Sequence, residues 1–179
     1  MKNVLIISSS LRGGSNSEIL AHEAERGAKD AGNVVEFLSL KGKDIKFCIG
    51  CLSCQQTHKC ILKDDMADLI GKVQNADAII FATPIYYYEM SGQLKTFLDR
   101  CNPLYSQENK FKDVYLITSA YDSSEKAADR AINGLKGWIE CFEQSRFVGA
   151  LIGGGIDAPK SAASREDLLK NAYELGKNI

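Results

Sequence analysis

Long apolar runs are missing from this sequence of 179 residues, and no stretch approaches the length needed to cross a bilayer. Near the start, Val4 to Ile7 is too short an apolar segment for a signal peptide and gives way at once to Ser8-Ser9-Ser10, so a cytoplasmic location is the expectation. Net charge is missing as well. The 22 Lys and Arg residues nearly cancel the 23 Asp and Glu residues, leaving a formal charge of −1. That balance gives no general attraction to nucleic acid or an anionic membrane, and neither is expected as a partner. The two histidines, His22 and His58, belong to no hydrolase-like arrangement and are expected at the surface. There is no GxxxxGK[ST], which excludes the usual nucleoside-triphosphate cradle, and no GxGxxG. No cysteine is followed six positions later by arginine, so a cysteine-phosphatase loop is absent.

What is present is an ordinary globular balance, 45% apolar and 25% charged, in a length that suits one domain over residues 1–179. Apolar runs that read as buried strands recur at 4–7, 34–38, 78–82, 114–118 and 147–152. Their continuous character predicts a sheet covered on both faces. Helical patterns fall between them. Residues 16–31 start at Ser15 and Glu18, a capping-box spacing. Met66, Leu69, Ile70 and Val73 share one helix face, as do Leu94, Phe97, Leu98 and Cys101. Ala128, Ile132, Leu135, Ile139 and Phe142 line a longer helix, and Leu168, Ala172 and Leu175 mark the last. Alternation of this kind predicts an α/β three-layer sandwich. Its five parallel strands suit the doubly wound order 2-1-3-4-5 of flavodoxin-like domains.

In such a sheet the ligand crevice lies beyond the carboxyl ends of strands one and three. The loop there, Ser8 to Ser17, offers hydroxyls, Arg12, Asn16 and two glycines at the start of a helix. A helix N-terminus with an added guanidinium suits a phosphate monoester; the alternative is a well-capped Ser/Gly turn with no ligand. Strand two ends in Leu38-Ser39-Leu40, without the acidic residue that grips an adenosine ribose. Strand three ends at Thr83-Pro84, not at the aspartate a phospho-acceptor regulator needs, and runs on into Tyr86-Tyr87-Tyr88. Tyrosines beside a phosphate site suit a planar aromatic ligand, although some of the three must pack elsewhere, under a helix or in a subunit interface. Lys95, Asp99 and Arg100 read as a solvated helix face, and Gly153-Gly154-Gly155 as a mobile turn before Pro159.

Ser10, Arg12, Asn16 and Ser17, then Asp64-Asp65-Met66, Pro84-Ile85-Tyr86, Gly92-Gln93-Leu94-Lys95 and Asp99-Arg100 together resemble the NADPH-dependent FMN reductase family of flavodoxin-like proteins. The resemblance extends over most of the chain. It implies FMN, with Ser10, Arg12, Ser15, Asn16 and Ser17 on the phosphate. It places Pro84, Ile85, Tyr86 and Tyr87 along the isoalloxazine and ribityl chain, and Ser119, Ala120 and Tyr121 near the ring. Ser9 and Leu11 stand where many members have Gly and Pro, and Tyr88 and Glu89 replace smaller residues. The implied activity is hydride transfer from NAD(P)H to the flavin. A second, ping-pong half-reaction then reduces a quinone, a flavin or another small acceptor, in a homodimer or homotetramer, with no catalytic side chain assigned.

Cys48, Cys51, Cys54 and Cys60 form CX2CX2CX5C between strand two and the next helix. The CX2CX2C portion is like the run that wraps a cubane cluster, whereas structural zinc more often uses two separated knuckles. The spacing also resembles iron–sulfur flavoproteins, relatives that carry a [4Fe-4S] cluster with FMN and exchange electrons with a redox protein. The thiols read equally as small buried hydrophobes or as a redox pair. Cys101 and Cys141 are expected as packing residues on apolar helix faces. A third reading is a non-catalytic module that binds FMN or senses redox state.

Overall fold

The computed structural model describes residues 1–105 and 107–179. In chain order its elements are β1 (Asn3–Ser8), α1 (Asn16–Asp30), β2 (Val34–Ser39), a short α2 (Ser53–Thr57), α3 (Met66–Asn75), β3 (Ala78–Tyr86), β4 (Glu89–Met90), α4 (Gly92–Arg100), β5 (Asp113–Ser119), α5 (Asp129–Ile139), β6 (Arg146–Gly153) and α6 (Glu166–Lys177). The five long strands are parallel in the order β2-β1-β3-β5-β6, which is the flavodoxin-like order expected. β4 is a two-residue addition, antiparallel to the end of β3.

Each inner strand supplies two cores, and this is why its apolar run is continuous. Leu5, Ile7, Ile79, Phe81 and Leu116 face α3, α4 and α5, meeting Leu69, Val73, Leu94, Phe97 and Leu135. Val4, Ile6, Ile80 and Ile117 face the other way, onto Leu20 and Ala24 of α1 and Leu168 and Ala172 of α6. On that second face α1 and α6 approach to backbone contact. A Cβ on Gly176 would lie 1.9 Å from the Ala24 carbonyl oxygen, and one on Gly27 2.0 Å from that of Tyr173.

Several local expectations are corrected. The capping box is half formed: Ser15 Oγ accepts from the Glu18 amide at 3.3 Å, while the Glu18 carboxylate instead accepts from Ser8 Oγ at 2.9 Å. α5 ends at Ile139, and Phe142 reaches the core from the following turn. Gly153-Gly154-Gly155 is a packed turn. The Gly153 carbonyl accepts from the Ala120 amide, and added Cβ atoms at Gly153 and Gly154 would meet Thr118 O at 2.7 Å and Asp122 O at 3.0 Å. Arg100 is not on a solvated face, since its side chain is 1% exposed. Cys141 is exposed, unlike the buried Cys101, whose thiol is pushed up by burial. His22 is at the surface as expected, stacked on Phe37 and bonded to Glu25.

Candidate functional site

A cleft of about 200 Å³ opens at the carboxyl ends of β1, β3 and β5. Ser10, Arg12, Ser15, Asn16, Pro84, Ile85, Tyr86, Ser119, Ala120 and Tyr121 all line it, ten of the twelve residues expected around a flavin phosphate and ring. The other two stand apart. Ser17 is buried behind the loop, with its hydroxyl 3.1 Å from Ser15 Oγ, and Tyr87 is 98% exposed.

Physical reasons for the loop's shape lie in its own bonds. Ser15 caps α1, leaving the amides of the first turn directed outward as a ready anion site. Gly14 takes φ +69°, and its carbonyl accepts from the Lys160 amide at 2.9 Å. Asn16 is a clip as much as a ligand candidate. Its Nδ2 donates to Ala158 O and Ser161 Oγ, and its Oδ1 accepts from the Ala162 amide. Arg12 Nη1 donates to Asp157 O at 2.6 Å, which sets the guanidinium at the rim. Residues 156–162 therefore close the cleft on one side, and Ile156 and Asp157 join its lining. Sequence reasoning missed them because nothing near Pro159 signals contact with a loop more than 140 residues earlier.

Behind the cleft sits a buried polar network. Ser9 Oγ donates to Ala82 O and shares a hydrogen bond with Ser91 Oγ at 2.9 Å. Ser91 caps α4, and its amide donates to Thr83 Oγ1. Ser9, Thr83 and Ser91 are fully buried, so the network fixes the β1 and β3 loops relative to α4. The Ser9 hydroxyl supplies this bracing, which a glycine at that position could not.

The tyrosine segment forms a tight hairpin. Tyr86 pairs with Glu89, and the two residues between, Tyr87 and Tyr88, have φ of +50° and +66°. Both signs match a type I′ turn, a conformation that normally selects Asn-Gly. Bulky residues there carry strain, and such strain clusters at ligand clamps. Tyr86 and Tyr88 are half exposed, and Tyr121 is 81% exposed. Tyr86 and Tyr121 line the cleft as an open aromatic ledge, whereas the Tyr88 ring lies 6.0 Å from the Arg130 guanidinium.

The cysteine loop is closed at its stem by two carboxylates. Asp65 accepts from the Asp44 amide at 2.8 Å, and Asp64 accepts from the Lys46 and Met66 amides. Asp64 also forms a buried two-point ion pair with Arg100, at 2.6 and 3.0 Å. Arg100 holds its carboxyl down at about 2, against the opposing effect of burial. Cys48, Cys51, Cys54 and Cys60 all line one cavity with Arg100 and Asn102. Asn102 Nδ2 lies 3.0 Å from Cys54 Sγ, and Arg100 Nη2 lies 3.4 Å from Cys60 Sγ. The Ser53 amide and hydroxyl hold the Cys51 thiol below its usual range. Four thiols around one cavity, met by N–H donors, fit the chemistry of a thiolate-bound iron–sulfur centre. The sulfurs share the cavity without converging on one point: among the described residues no three His, Cys, Asp or Glu side chains are grouped to hold a metal ion. The sequence reading did not connect Arg100 and Asn102 with the loop because only the fold brings them there, and it named Asp64, four residues past Cys60, only within the family motif.

Residues 2–150 match the NADPH-dependent FMN reductase family. An iron-sulfur flavoprotein of Archaeoglobus fulgidus is 31% identical over 183 residues, covering 100% of this chain and 79% of the relative. One from Methanocaldococcus jannaschii is 39% identical over 101 residues, covering 56% of this chain but only 52% of its own length. A solved NAD(P)H:quinone oxidoreductase from Methanothermobacter marburgensis superposes with a TM-score of 0.76 at 18% identity, covering 99% of this chain and 96% of the other, which supports the fold.

Proposed function

Because the chain belongs to the NADPH-dependent FMN reductase family, we propose that its switch-point cleft holds FMN and that the protein is an NAD(P)H-dependent oxidoreductase. The observation that carries this reading is the convergence of three loops, distant in sequence, on one cleft with a phosphate-suited floor and an aromatic ledge. Ser10, Ser15, Arg12 and the first amides of α1 supply anion contacts. Pro84, Ile85 and Tyr86 supply an apolar wall, and Ser119, Ala120 and Tyr121 a second edge. FMN held there would supply the redox chemistry of a ping-pong reaction with NAD(P)H as donor and a quinone, a flavin or a similar molecule as acceptor. The chain's own part is to hold and orient. The buried Ser9–Ser91–Thr83 network keeps the loops from shifting, and the exposed tyrosines leave a flat surface open to a second planar molecule. No side chain is assigned as an acid or base. A homodimer or homotetramer and a cytoplasmic location belong to the same reading; none of the described helices is long and apolar enough to cross a membrane.

The test begins with the purified protein, which should be yellow or turn yellow with excess FMN. Stopped-flow mixing with NADPH and with NADH should bleach that colour, and an acceptor should restore it. A coloured protein that neither nucleotide bleaches refutes the nicotinamide donor and points to a sensing role or to electron delivery by another protein.

The four-cysteine cavity favours a second reading, an electron-transfer protein in which Cys48, Cys51, Cys54 and Cys60 hold a [4Fe-4S] cluster and a redox protein is the partner. Iron and sulfide analysis after anaerobic reconstitution tests it, and absence of both removes it.

A further inference from the structure

Arg100 is among the largest fully buried side chains of the protein. Burial of a guanidinium is costly unless every donor is used. Four bonds are made: two to Asp64, one to Lys46 O at 2.7 Å and one to Cys60 Sγ. Nε is buried with no partner. A native structure rarely leaves such a group unmatched without a ligand or a functional reason. Asp64 offers no further help, since its two oxygens already take Arg100, Lys46 and Met66. Closing the loop stem does not by itself require Arg100, because Asp65 and Asp44 already pin it with two bonds. What Arg100 adds is contact with the cavity wall that the four cysteines share.

We propose that Arg100 is a positioning residue for the four-cysteine site: its buried guanidinium fixes Cys60 through Nη2 and keeps a positive charge at the wall where an iron–sulfur centre would be bound, with Nε still unpaired. The inference rests on the iron–sulfur reading. Four thiolates around iron and sulfide give an anionic assembly, and a neighbouring cation with N–H donors to sulfur favours its reduced form. A centre beside Arg100 therefore has a higher midpoint potential than the same centre without it.

The experiment uses the full chain, anaerobically reconstituted with iron and sulfide, with FMN retention as the check on folding. R100Q alone strands the buried Asp64 carboxylate, so the charge-free variant is the double D64N/R100Q, and R100K restores the charge. Wild-type protein should load the centre. The double variant should either fail to load while retaining FMN, or load with a midpoint lowered at least tenfold in the one-electron equilibrium, about 59 mV. R100K, which keeps the charge without the guanidinium's fork of donors, should load with a midpoint above that of the double variant. A second measurement needs no variant: with isotope-labelled arginine, the reduced wild-type centre should show magnetic coupling to an arginine nitrogen. Wild-type protein that takes up no iron overturns the iron–sulfur reading and this inference together. A loaded double variant with wild-type midpoint, or a loaded wild type with no arginine coupling, overturns the role of Arg100 alone.

Discussion

Substituting Arg12 by alanine separates phosphate recognition from everything else the first loop does. Arg12 makes one side-chain bond among the described residues, from Nη1 to Asp157 O, and is exposed. Its loss should therefore change folding stability by no more than about 0.5 kcal/mol, the usual range for such a surface site. Toward a bound phosphate the same side chain offers a charge-assisted hydrogen bond, worth about 1.5–3 kcal/mol. That range corresponds to a Kd raised about 10- to 150-fold. Quenching of flavin fluorescence on titration into the apo-protein measures it. Riboflavin, which lacks the phosphate, supplies the control, and its affinity should be the same for wild type and Arg12→Ala. Equal FMN affinity in the two proteins would sink the assignment of Arg12 as a phosphate ligand. An equal loss for FMN and riboflavin would instead mean that Arg12 acts through Asp157, by holding residues 156–158 against the cleft.

Three further outcomes follow from the packing. Gly176→Ala should destabilise the fold by at least about 2 kcal/mol despite alanine's better helix propensity, because the added carbon overlaps the Ala24 carbonyl; thermal melting should show a fall of about 4–8 °C, and an unchanged Tm would disprove the close α1–α6 contact. Replacing Tyr87-Tyr88 with Asn-Gly should raise stability by about 1–2 kcal/mol, since both positions have positive φ; a lower Tm would show that the turn is not strained. Asp64 has its carboxyl depressed from 3.8 to about 2, chiefly by Arg100. The contribution of the ion pair, about 2 kcal/mol, is thus complete above the unfolded value and disappears as pH falls through the folded one. Hydrogen exchange at the Lys46 and Met66 amides, corrected for intrinsic rate, should accelerate between about pH 4 and 2 before the β1 and β3 amides do. Simultaneous loss of protection in both places would contradict a separate acid-labile stem.

The doubly covered sheet could be read from the sequence because each inner strand is apolar on both faces, and its order because the alternation of five strands with helices suits the flavodoxin-like pattern. The cleft was legible for a related reason. Ser10, Arg12 and Ser15 are consecutive with a strong helix start, and local chemistry marked them. Lys95 and Asp99 also conform, forming an exposed ion pair one helical turn apart at 2.6 Å. Arg100, only one residue on, does not. Its neighbours Phe97 and Cys101 already marked the buried side of α4, but a charged residue on that side has meaning only if a counter-charge meets it. Asp64 is 36 positions away and reaches it through the loop stem. Asp157 was hidden for the same reason, lying beyond β6 and entering the cleft because Asn16 holds residues 158–162 in place. A hairpin at Tyr87-Tyr88 was not foreseeable from turn chemistry, since tyrosine is disfavoured at both central positions.

α4 ties the two candidate sites into one object. Its cap, Ser91, belongs to the buried network behind the flavin cleft, and its last residue, Arg100, belongs to the cysteine cavity. At about 1.5 Å per residue the helix sets these ends about 13 Å apart. Leu94, Phe97 and Leu98 are buried between them, with Phe97 edge-on to Phe81 of β3. A close-packed interior resists the sliding that would change this spacing. The sheet's carboxyl edge alone would account for a flavin site, and the Asp44–Asp65 stem alone would account for an ordered loop. Neither explains why a nine-residue helix should carry a buried serine bonded to the first loop at one end and a buried arginine bonded to a cysteine at the other. A fixed separation between the two candidate sites of one chain does explain it. The requirement falls on rigidity rather than on any one contact, and the side chains buried along α4 supply that rigidity.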